Sequence, residues 1–321
     1  MKAIRAFMLY QSGTLLYSDG TMLFIDRPDG KKVRGIHALN AMMPYMMRGR
    51  NESAVYYEKE IDVENALRHV RAKNSKTGED RDRYSLFSLF LAAAVRTVAI
   101  RPELNRYIHR RALYQRNHIA LSFIVKQKLT EEAPEGNAKV FFEPGDNLEE
   151  VTQKVNQAIA YVREHGDGGS GERLVKAAHS IPGGKAFLIG MYRLFDRFNL
   201  APWALLKTDP LYATAYLANL GSIGLDTPYH HLYEWGNASF FVVLGKLAQK
   251  EGHHGAFGSK RHFINFKVTL DERISDGLYF ARSASVFAHL LARPELLEMT
   301  LDQAQALLSG GNENSGALEK E

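Results

Sequence analysis

Two short stretches of this 321-residue chain carry side chains that can move protons. The first, Tyr229–Trp235, contains two adjacent histidines, His230 and His231, together with tyrosines and a glutamate. Imidazole is the natural general base near neutral pH. The second stretch contains Glu272, which follows an alternating apolar strand and precedes an amphipathic helix. The sequence therefore offers an imidazole pair and a carboxylate as candidate bases.

Each candidate base has a competing structural explanation. An unperturbed glutamate has a pKa of about 4.3 and a thiol about 8.5, so proton transfer from a thiol to Glu272 is uphill by roughly 6 kcal/mol unless burial raises the glutamate pKa. Glu272 is therefore either a desolvated base or the ion-pair partner of a basic neighbour such as Arg261. His230 and His231 either supply a relocated base or lie in a surface loop. Their spacing with Glu272 matches no metal-binding signature, and no metal site is predicted.

The elements that must position these residues follow from the apolar periodicity. Strands are predicted over 54–61, 118–126, 139–142, 212–219, 239–245 and 263–271, and helices after Asp62, over 85–100, after Asn147, within 174–206 and from Gly277. Strands and helices mix without strict βαβ alternation, which predicts an α+β fold in which helices cover one sheet. We divide the chain into a leader (1–30), one domain (31–303) and a disordered tail (304–321).

Composition excludes several classes of function. The chain has no cysteine, so it has no disulfide, thiolate metal site or cysteine nucleophile. Its formal charge of +5 is modest and interspersed, which argues against nucleic-acid binding. The sequence has no signal peptide and no membrane-spanning run, so a cytoplasmic protein without a membrane partner is expected. The basic run 101–116 is interpreted as a solvated helix end and turn, although such charge would also suit an anionic coenzyme A ester.

Several motifs, in this order along the chain, carry a family resemblance. They are a strand ending in Glu60-Ile61-Asp62, the segment Arg101–Asn105, the turn within Leu217–Gly224, and Asp271–Gly277. Together they resemble the acyltransferase core of 2-oxo-acid dehydrogenase complexes, which shares its fold with chloramphenicol acetyltransferase. The resemblance covers roughly residues 30 to 300. It implies a two-layer sandwich of a mixed β-sheet and helices.

The resemblance also implies roles for residues. The family motif is D-H-R-x-x-D-G, so Glu272 stands in the position of the catalytic histidine, and Ala218 stands where the family keeps an oxyanion-binding serine. Asp276 is implied to pair with an arginine, Arg48 or Arg50, and Gly277 to permit a sharp turn. Candidates that could replace the missing hydroxyl form a separate set. These are Asn219, Ser222, Tyr212 and Tyr216.

Two functional hypotheses follow from the resemblance. The first is a coenzyme-A-dependent acyltransferase with a rebuilt catalytic site, in which His231 is the base and Glu272 its orienting carboxylate, or Glu272 acts directly. The acceptor would be a small hydroxyl, amine or thiol compound. The alternative is a non-catalytic assembly or binding module that kept the fold. In both cases a homotrimer or higher homo-oligomer is expected, and we find no lipoyl-bearing domain in this sequence.

Overall fold

The computed structural model describes residues 16–18, 21–23, 26–76, 83–126, 135–166, 179–251 and 260–315. The strands are β1 (Leu16–Ser18), β2 (Thr21–Leu23), β3 (Gly30–Lys32), β4 (Ala54–Asp62), β5 (Arg106–His109), β6 (Ala112–Arg116), β7 (Ile119–Lys126), β8 (Glu135–Phe142), β9 (Ala215–Asn219), β10 (Phe240–Glu251) and β11 (Lys260–Asp271). The α-helices are α1 (Ala38–Met46), α2 (Glu64–Asn74), α3 (Leu86–Ile100), α4 (Leu148–His165), α5 (Gly184–Arg197), α6 (Trp203–Thr208), α7 (Gly277–Ala292) and α8 (Leu301–Ser315). The α+β expectation is confirmed.

The central element is a six-stranded sheet with the order β4-β11-β10-β9-β7-β8. Strand β9 runs parallel to both of its neighbours, β10 and β7, and the other pairs are antiparallel. The sheet is therefore mixed, as the sequence predicts. Each of the six predicted strands is present, and β8 begins at Glu135, earlier than the predicted start at 139.

One face of this sheet, which we call the helix face, is covered by α2, α3, α4 and α7. Two of these helices begin at capping boxes, which Ser85 forms at the start of α3 and Asn147 at the start of α4. Helix α3 is buried along almost its whole length, so nearly all its residues are apolar. The opposite face, which we call the loop face, carries the segment 225–236 and a separate apolar cluster that includes Phe241 and Val243.

The basic run 101–116 begins at a helix end, as predicted: Arg101 is the C-cap of α3, and a short 3-10 helix (Pro102–Asn105) follows it. The rest of the run is not a solvated turn, because residues 106–116 form the β5–β6 hairpin, which pairs with β3 in a three-stranded sheet. The hairpin turns at Arg110 and Arg111, whose φ angles are 48° and 61°. Arg116 is buried beside the carboxylate of Asp29, so a β-strand with alternating burial explains the run better than a solvated surface.

The C-terminal end of the chain differs from expectation where it is described. Only parts of the predicted leader are described, among them the short β1–β2 pair and the start of β3. The tail predicted to be disordered from residue 304 contains helix through Ser315, because Leu301 and the buried Ala304 begin an amphipathic turn against the domain. Residues 316–321 lie outside the described part. No helix in the described ranges combines the length and apolar character needed to span a membrane.

Candidate active site

The site is built on the turn from Asp271 to Gly277 that joins β11 to α7. Asp271 and Arg273 form a buried two-pronged ion pair, with Oδ1–Nε 2.8 Å and Oδ2–Nη2 2.6 Å. The Asp271 carboxylate also accepts the backbone N–H of Arg273 at 3.1 Å. Charge-assisted fork contacts of this kind fix geometry as well as charge. The first and third residues of the motif therefore hold the turn, and they flank Glu272.

A second segment, 47–53, clamps the same turn. The Arg273 guanidinium donates to the carbonyls of Met47 (3.0 Å) and Arg48 (3.1 Å). The backbone N–H of Glu272 donates to the carbonyl of Ser53 at 3.0 Å, and the Ser53 hydroxyl donates to Asp271 at 3.1 Å. The backbone of Glu272 is thereby fixed on both sides.

Glu272 lines a cavity of about 820 Å³ between the helix face of the sheet and helices α3 and α7. The cavity walls are mostly apolar. The apolar lining from the sheet is Val55, Tyr57, Leu121, Ala215, Leu217, Phe240, Val242, Phe266, Val268 and Leu270, and that from the two helices is Phe90, Ala94, Val98, Phe280, Ala281, Ala284 and Phe287. Arg261, the alternative partner of Glu272, instead pairs with Asp62 at 2.6 Å.

Polar side chains lie where the cavity reaches the turn. Glu103 accepts a hydrogen bond from the Ser275 hydroxyl at 2.6 Å and pairs with Arg106 at 2.9 Å. His37 caps α1: its Nδ1 accepts the backbone N–H of Leu39 at 3.4 Å. An imidazole that accepts at Nδ1 and is neutral carries its proton on Nε2, so His37 can donate there. We call this polar end, lined by His37, Glu103, Glu272, Ser275 and Asp276, the cavity mouth.

Asp276 and Gly277 do not show the geometry that the resemblance implies. The Asp276 side chain caps α7 by accepting the N–H of Tyr279 at 2.8 Å, and within the described ranges it makes no ion pair. Its expected partner Arg50 instead donates to the carbonyls of Tyr233 and Trp235. Gly277 does not have a left-handed backbone and a β-carbon there would meet open space. The arginine–carboxylate pair that shapes the turn is Asp271–Arg273.

Arg48 acts through its backbone at this position. Its carbonyl accepts from Arg273, and its N–H donates to Glu52 at 2.9 Å. No ion pair of its guanidinium is found among the described residues. Arg48 is therefore placed next to the site, but as part of the clamp rather than as the partner of Asp276.

The second motif turn lies away from the cavity mouth. Ala218 is buried in the apolar cluster of the loop face, so its side chain does not face the large cavity. Asn219 and Ser222 line a smaller cavity of about 160 Å³, and the Ser222 hydroxyl donates to the Asn219 carbonyl at 2.7 Å. Gly221 is needed there, because a β-carbon would lie 2.3 Å from the carbonyl oxygen of Gly245.

The histidine pair lies on the loop face. The ring of His230 stacks on Phe241 with a centroid distance of 3.7 Å, and burial lowers the pKa of His230. His230 and His231 are also stacked on each other, and their Nδ1 atoms contact the carbonyls of His231 (2.7 Å) and Leu232 (3.0 Å). Neither histidine lines the cavity that Glu272 faces.

Within one chain, the structure therefore does not bring His230 or His231 together with Glu272. Phe241 and Thr269, which contact His230, point to the loop face, whereas Phe240 and Leu270 beside them line the cavity. The two groups of candidate bases are on opposite faces of the sheet.

Tyr212, another residue predicted as an oxyanion donor, is buried apart from both groups of candidate bases. It packs with Ala201 and Leu206, and its ring lies edge-to-face to Tyr192 at 6.1 Å. Burial raises the pKa of the Tyr212 hydroxyl far above its ordinary value. Tyr216, the other predicted tyrosine, stacks on Phe241 on the loop face.

Sequence reasoning missed two residues of the cavity mouth. His37 was not among the predicted site residues, and Ser275 lies inside the motif but in one of its variable positions. No sequence signal marked His37 as the cap of α1, because histidine is not among the preferred N-cap residues. Within the described residues, no group of three or more histidine or carboxylate side chains is arranged to hold a metal ion.

Comparison with known proteins establishes the fold. No protein-family model matches the chain, and no curated protein matches it in sequence. Among solved structures, a probable dihydrolipoamide acetyltransferase from Listeria monocytogenes 4b F2365 matches at TM-score 0.55 and 12% identity, covering 82% of this chain and 95% of that chain. The Azotobacter vinelandii dihydrolipoamide acetyltransferase, studied for the roles of a serine, a histidine and an asparagine in its catalytic mechanism, matches at TM-score 0.54 and 13% identity, covering 84% and 95%. A chloramphenicol acetyltransferase matches at TM-score 0.52 and 14% identity, covering 82% and 99%.

These matches confirm the structural part of the resemblance. The chain has the chloramphenicol-acetyltransferase-like fold, and the likeness spans nearly the full length of each of the three structures. At such low identity the likeness establishes the fold alone, and activity must be argued from the site.

Proposed function

We propose that this chain is a coenzyme-A-dependent acyltransferase whose reacting centre lies at the cavity mouth. The observation that carries the proposal is the position of Glu272: it occupies the motif position of the family's base, its backbone is clamped, and it lines a large apolar cavity. A carboxylate at such a boundary can accept a proton while the cavity holds the apolar part of a substrate.

The reaction has two steps at the thioester carbonyl. The acceptor's O–H, N–H or S–H group attacks the carbonyl carbon as Glu272 accepts its proton, and a tetrahedral oxyanion forms. The oxyanion then collapses, the C–S bond breaks, and the coenzyme A sulfur leaves as a thiol by taking the proton from Glu272. We assign the oxyanion donor to His37 Nε2–H, because the Nδ1 of His37 is occupied by the Leu39 N–H.

The charged part of coenzyme A needs cations near the mouth. Arg273 and Arg106 line the cavity but are paired with Asp271 and Glu103. Arg34 also lines the cavity, is exposed, and forms no ion pair with another described residue. We therefore assign a phosphate of coenzyme A to Arg34, because guanidinium groups bind phosphate oxygens through paired hydrogen bonds.

The decisive experiment is an acyl-CoA assay on the purified protein. Thiol release is followed with acyl-CoA thioesters and small hydroxyl, amine and thiol acceptors, and acyl-CoA binding is measured separately by calorimetry. Turnover above the uncatalysed rate that is lost in Glu272→Gln supports the proposal. Absence of turnover overturns it, whether or not acyl-CoA binds.

A second function is favoured by one specific observation on the loop face. Three tyrosines there are strongly exposed for aromatic residues: Tyr56 at 52%, Tyr229 at 47% and Tyr233 at 39%. Exposed aromatic patches mark interaction surfaces. A homo-oligomer, with a trimer expected from the resemblance, or a non-catalytic binding module would use this face.

The oligomeric role is tested by light scattering coupled to size exclusion. A trimer that dissociates in Tyr56→Ser, but not in the exposed helix variant Tyr161→Ser, supports the loop face as an interface. A wild-type protein that stays monomeric at micromolar concentration contradicts it.

A further inference from the structure

We infer that the cavity binds a long fatty acyl chain, with the thioester at the mouth beside Glu272. This inference rests on the proposed function and names its substrate class. An acetyl group would occupy only the mouth, whereas the cavity of about 820 Å³ lies near the upper end of the range of roughly 300–1,000 Å³ for ligand pockets. Three further observations support a chain-shaped apolar ligand.

The first observation is the depth of the cavity. Leu270, Val268 and Phe266 of β11 all line it, and they follow one another down the strand from Glu272. A strand rises about 3.3 Å per residue, so the wall from Leu270 to Phe266 is about 13 Å long, and the turn with Glu272 lies beyond its upper end. The hydrocarbon core of a bilayer is about 30 Å thick and contains two chain lengths, so one fatty chain spans about 15 Å. The depth therefore fits one such chain.

The second observation is that the serine and threonine hydroxyls in the wall are already satisfied. The Thr97 hydroxyl donates to the Ala93 carbonyl at 2.7 Å. The Thr214 hydroxyl donates to an Asn105 side chain, and the Ser283 hydroxyl to the Tyr279 carbonyl, each at 2.7 Å. A sugar or another polar ligand would leave its own polar groups unpaired against this wall. An alkyl chain has no polar groups, so it gives up no hydrogen bonds when it is buried against this wall.

The third observation is an aromatic floor at the deep end. Phe90, Phe266 and Phe287 all line the cavity and pack edge-to-face on one another, with centroid distances of 5.8, 4.7 and 5.6 Å. Phe90 also lines the smaller cavity that contains Asn219 and Ser222. The ring of Phe90 thus separates the two spaces, and it sets how long a chain the larger one accepts.

The test is acyl-chain selectivity in binding, which does not require turnover. Calorimetry compares acetyl-CoA, octanoyl-CoA and palmitoyl-CoA, with coenzyme A and palmitate alone as further arms. Palmitoyl-CoA is expected to bind about tenfold or more tighter than acetyl-CoA, because each buried methylene adds favourable transfer free energy. Palmitate binding without coenzyme A binding would assign the cavity to a free fatty acid and overturn the thioester assignment.

Two cavity variants and one control locate the site. Ala284→Phe, from α7, fills the cavity and is expected to weaken palmitoyl-CoA binding about tenfold or more while acetyl-CoA binding stays close to wild type. Phe90→Ala removes the floor and is expected to improve binding of chains longer than palmitoyl. Ala292→Phe is the control, because Ala292 is exposed at the end of α7 and does not line the cavity.

The outcomes separate this inference from the proposed function. Equal binding of acetyl-CoA and palmitoyl-CoA, or a palmitoyl preference that survives in the folded Ala284→Phe protein, overturns the chain site. If acetyl-CoA alone is turned over, the acyltransferase proposal stands and the fatty-chain inference fails. If palmitoyl-CoA binds selectively without turnover, the chain site stands and the catalytic proposal fails.

Discussion

The two faces of the central sheet place their chemistry-bearing residues in different surroundings. On the helix face, Glu272 is held by backbone and ion-pair contacts and adjoins a large apolar space. On the loop face, His230 is packed flat against Phe241 and no comparable space adjoins it among the described residues. A reactive group needs room for substrate as well as a suitable pKa. The helix face meets that need within one chain.

The two faces are nevertheless joined by one short segment. Residues 47–53 clamp the Glu272 turn through Ser53 and the Met47 carbonyl. The same segment holds the loop that carries the histidines, because Glu234 accepts the backbone N–H groups of Arg50 (3.0 Å) and Asn51 (3.2 Å). Changes on the loop face can thus reach the cavity mouth through this segment, and the two faces must be tested separately.

The largest expected effect is on catalysis and distinguishes the two faces directly. Glu272→Gln keeps the size of the side chain and removes its basicity, so kcat/KM for acyl transfer is expected to fall about 10²–10⁴-fold. His231→Gln is the matched change on the loop face, and kcat/KM is expected to stay close to wild type, because His231 does not line the cavity. Thermal unfolding of both variants checks that they remain folded. A large loss in His231→Gln with none in Glu272→Gln would move the base to the loop face.

The next largest effect concerns the anchor of the Glu272 turn. Arg273→Leu leaves the buried Asp271 carboxylate without its ion-pair partner, and the free energy of unfolding is expected to fall by about 3–5 kcal/mol. Asp226→Asn is the control, because its pair with Lys246 is exposed and worth at most about 1 kcal/mol. Urea unfolding measures both variants. Similar small losses would show that the turn is held mainly by its backbone contacts.

Much of the fold could be predicted from local patterns. Alternation predicted β4, β7 and β11, and capping residues predicted the starts of α3 and α4, because these signals depend on neighbouring residues alone. The β5–β6 hairpin was missed because Arg116 is buried through distant partners. Its guanidinium donates to Asn237 at 3.0 Å and lies 3.9 Å from the Asp29 carboxylate.

The candidate site was only partly predictable for a similar reason. The motif located Glu272. The loop with His230 and His231 could cover either face of the sheet. Its position depends on the strand order and on the contacts of Arg50, and no local sequence pattern contains this information. The role expected of Asp276 belongs to Asp271 in the structure. Both carboxylates flank the same turn, so sequence order alone could not distinguish the helix cap from the ion pair.

A third prediction compares the packing of the two faces through one substitution. Val243 is buried in the apolar cluster of the loop face, whereas Val268 borders the cavity on the helix face. Val243→Ala is expected to lower the free energy of unfolding by about 2 kcal/mol, and Val268→Ala by less than about 1 kcal/mol. The Val268 side chain borders the cavity and has fewer packing contacts to lose when it is shortened. Urea unfolding in the absence of ligand measures the difference. Equal costs would mean that Val268 is as tightly packed as Val243 and that the cavity is closed in solution.

The smallest expected effect is the pH dependence contributed by His230. Burial lowers the pKa of His230 in the folded protein. As the pH falls below about 6.5, the unfolded chain therefore takes up the proton before the folded protein does. The free energy of unfolding decreases over this range, until the pH passes the lower pKa of the folded protein. His230→Phe keeps the stack on Phe241 but cannot titrate. The difference in free energy of unfolding between wild type and variant is therefore expected to change by well under about 1 kcal/mol between pH 7.5 and pH 5, because the ring is only partly desolvated. Urea unfolding at the two pH values measures this difference, in which the contributions of the other histidines cancel. A wild type that gains stability relative to His230→Phe on acidification would mean that a negative group stabilises the imidazolium on the loop face, and the loop face would then have to be reconsidered as a site of proton transfer.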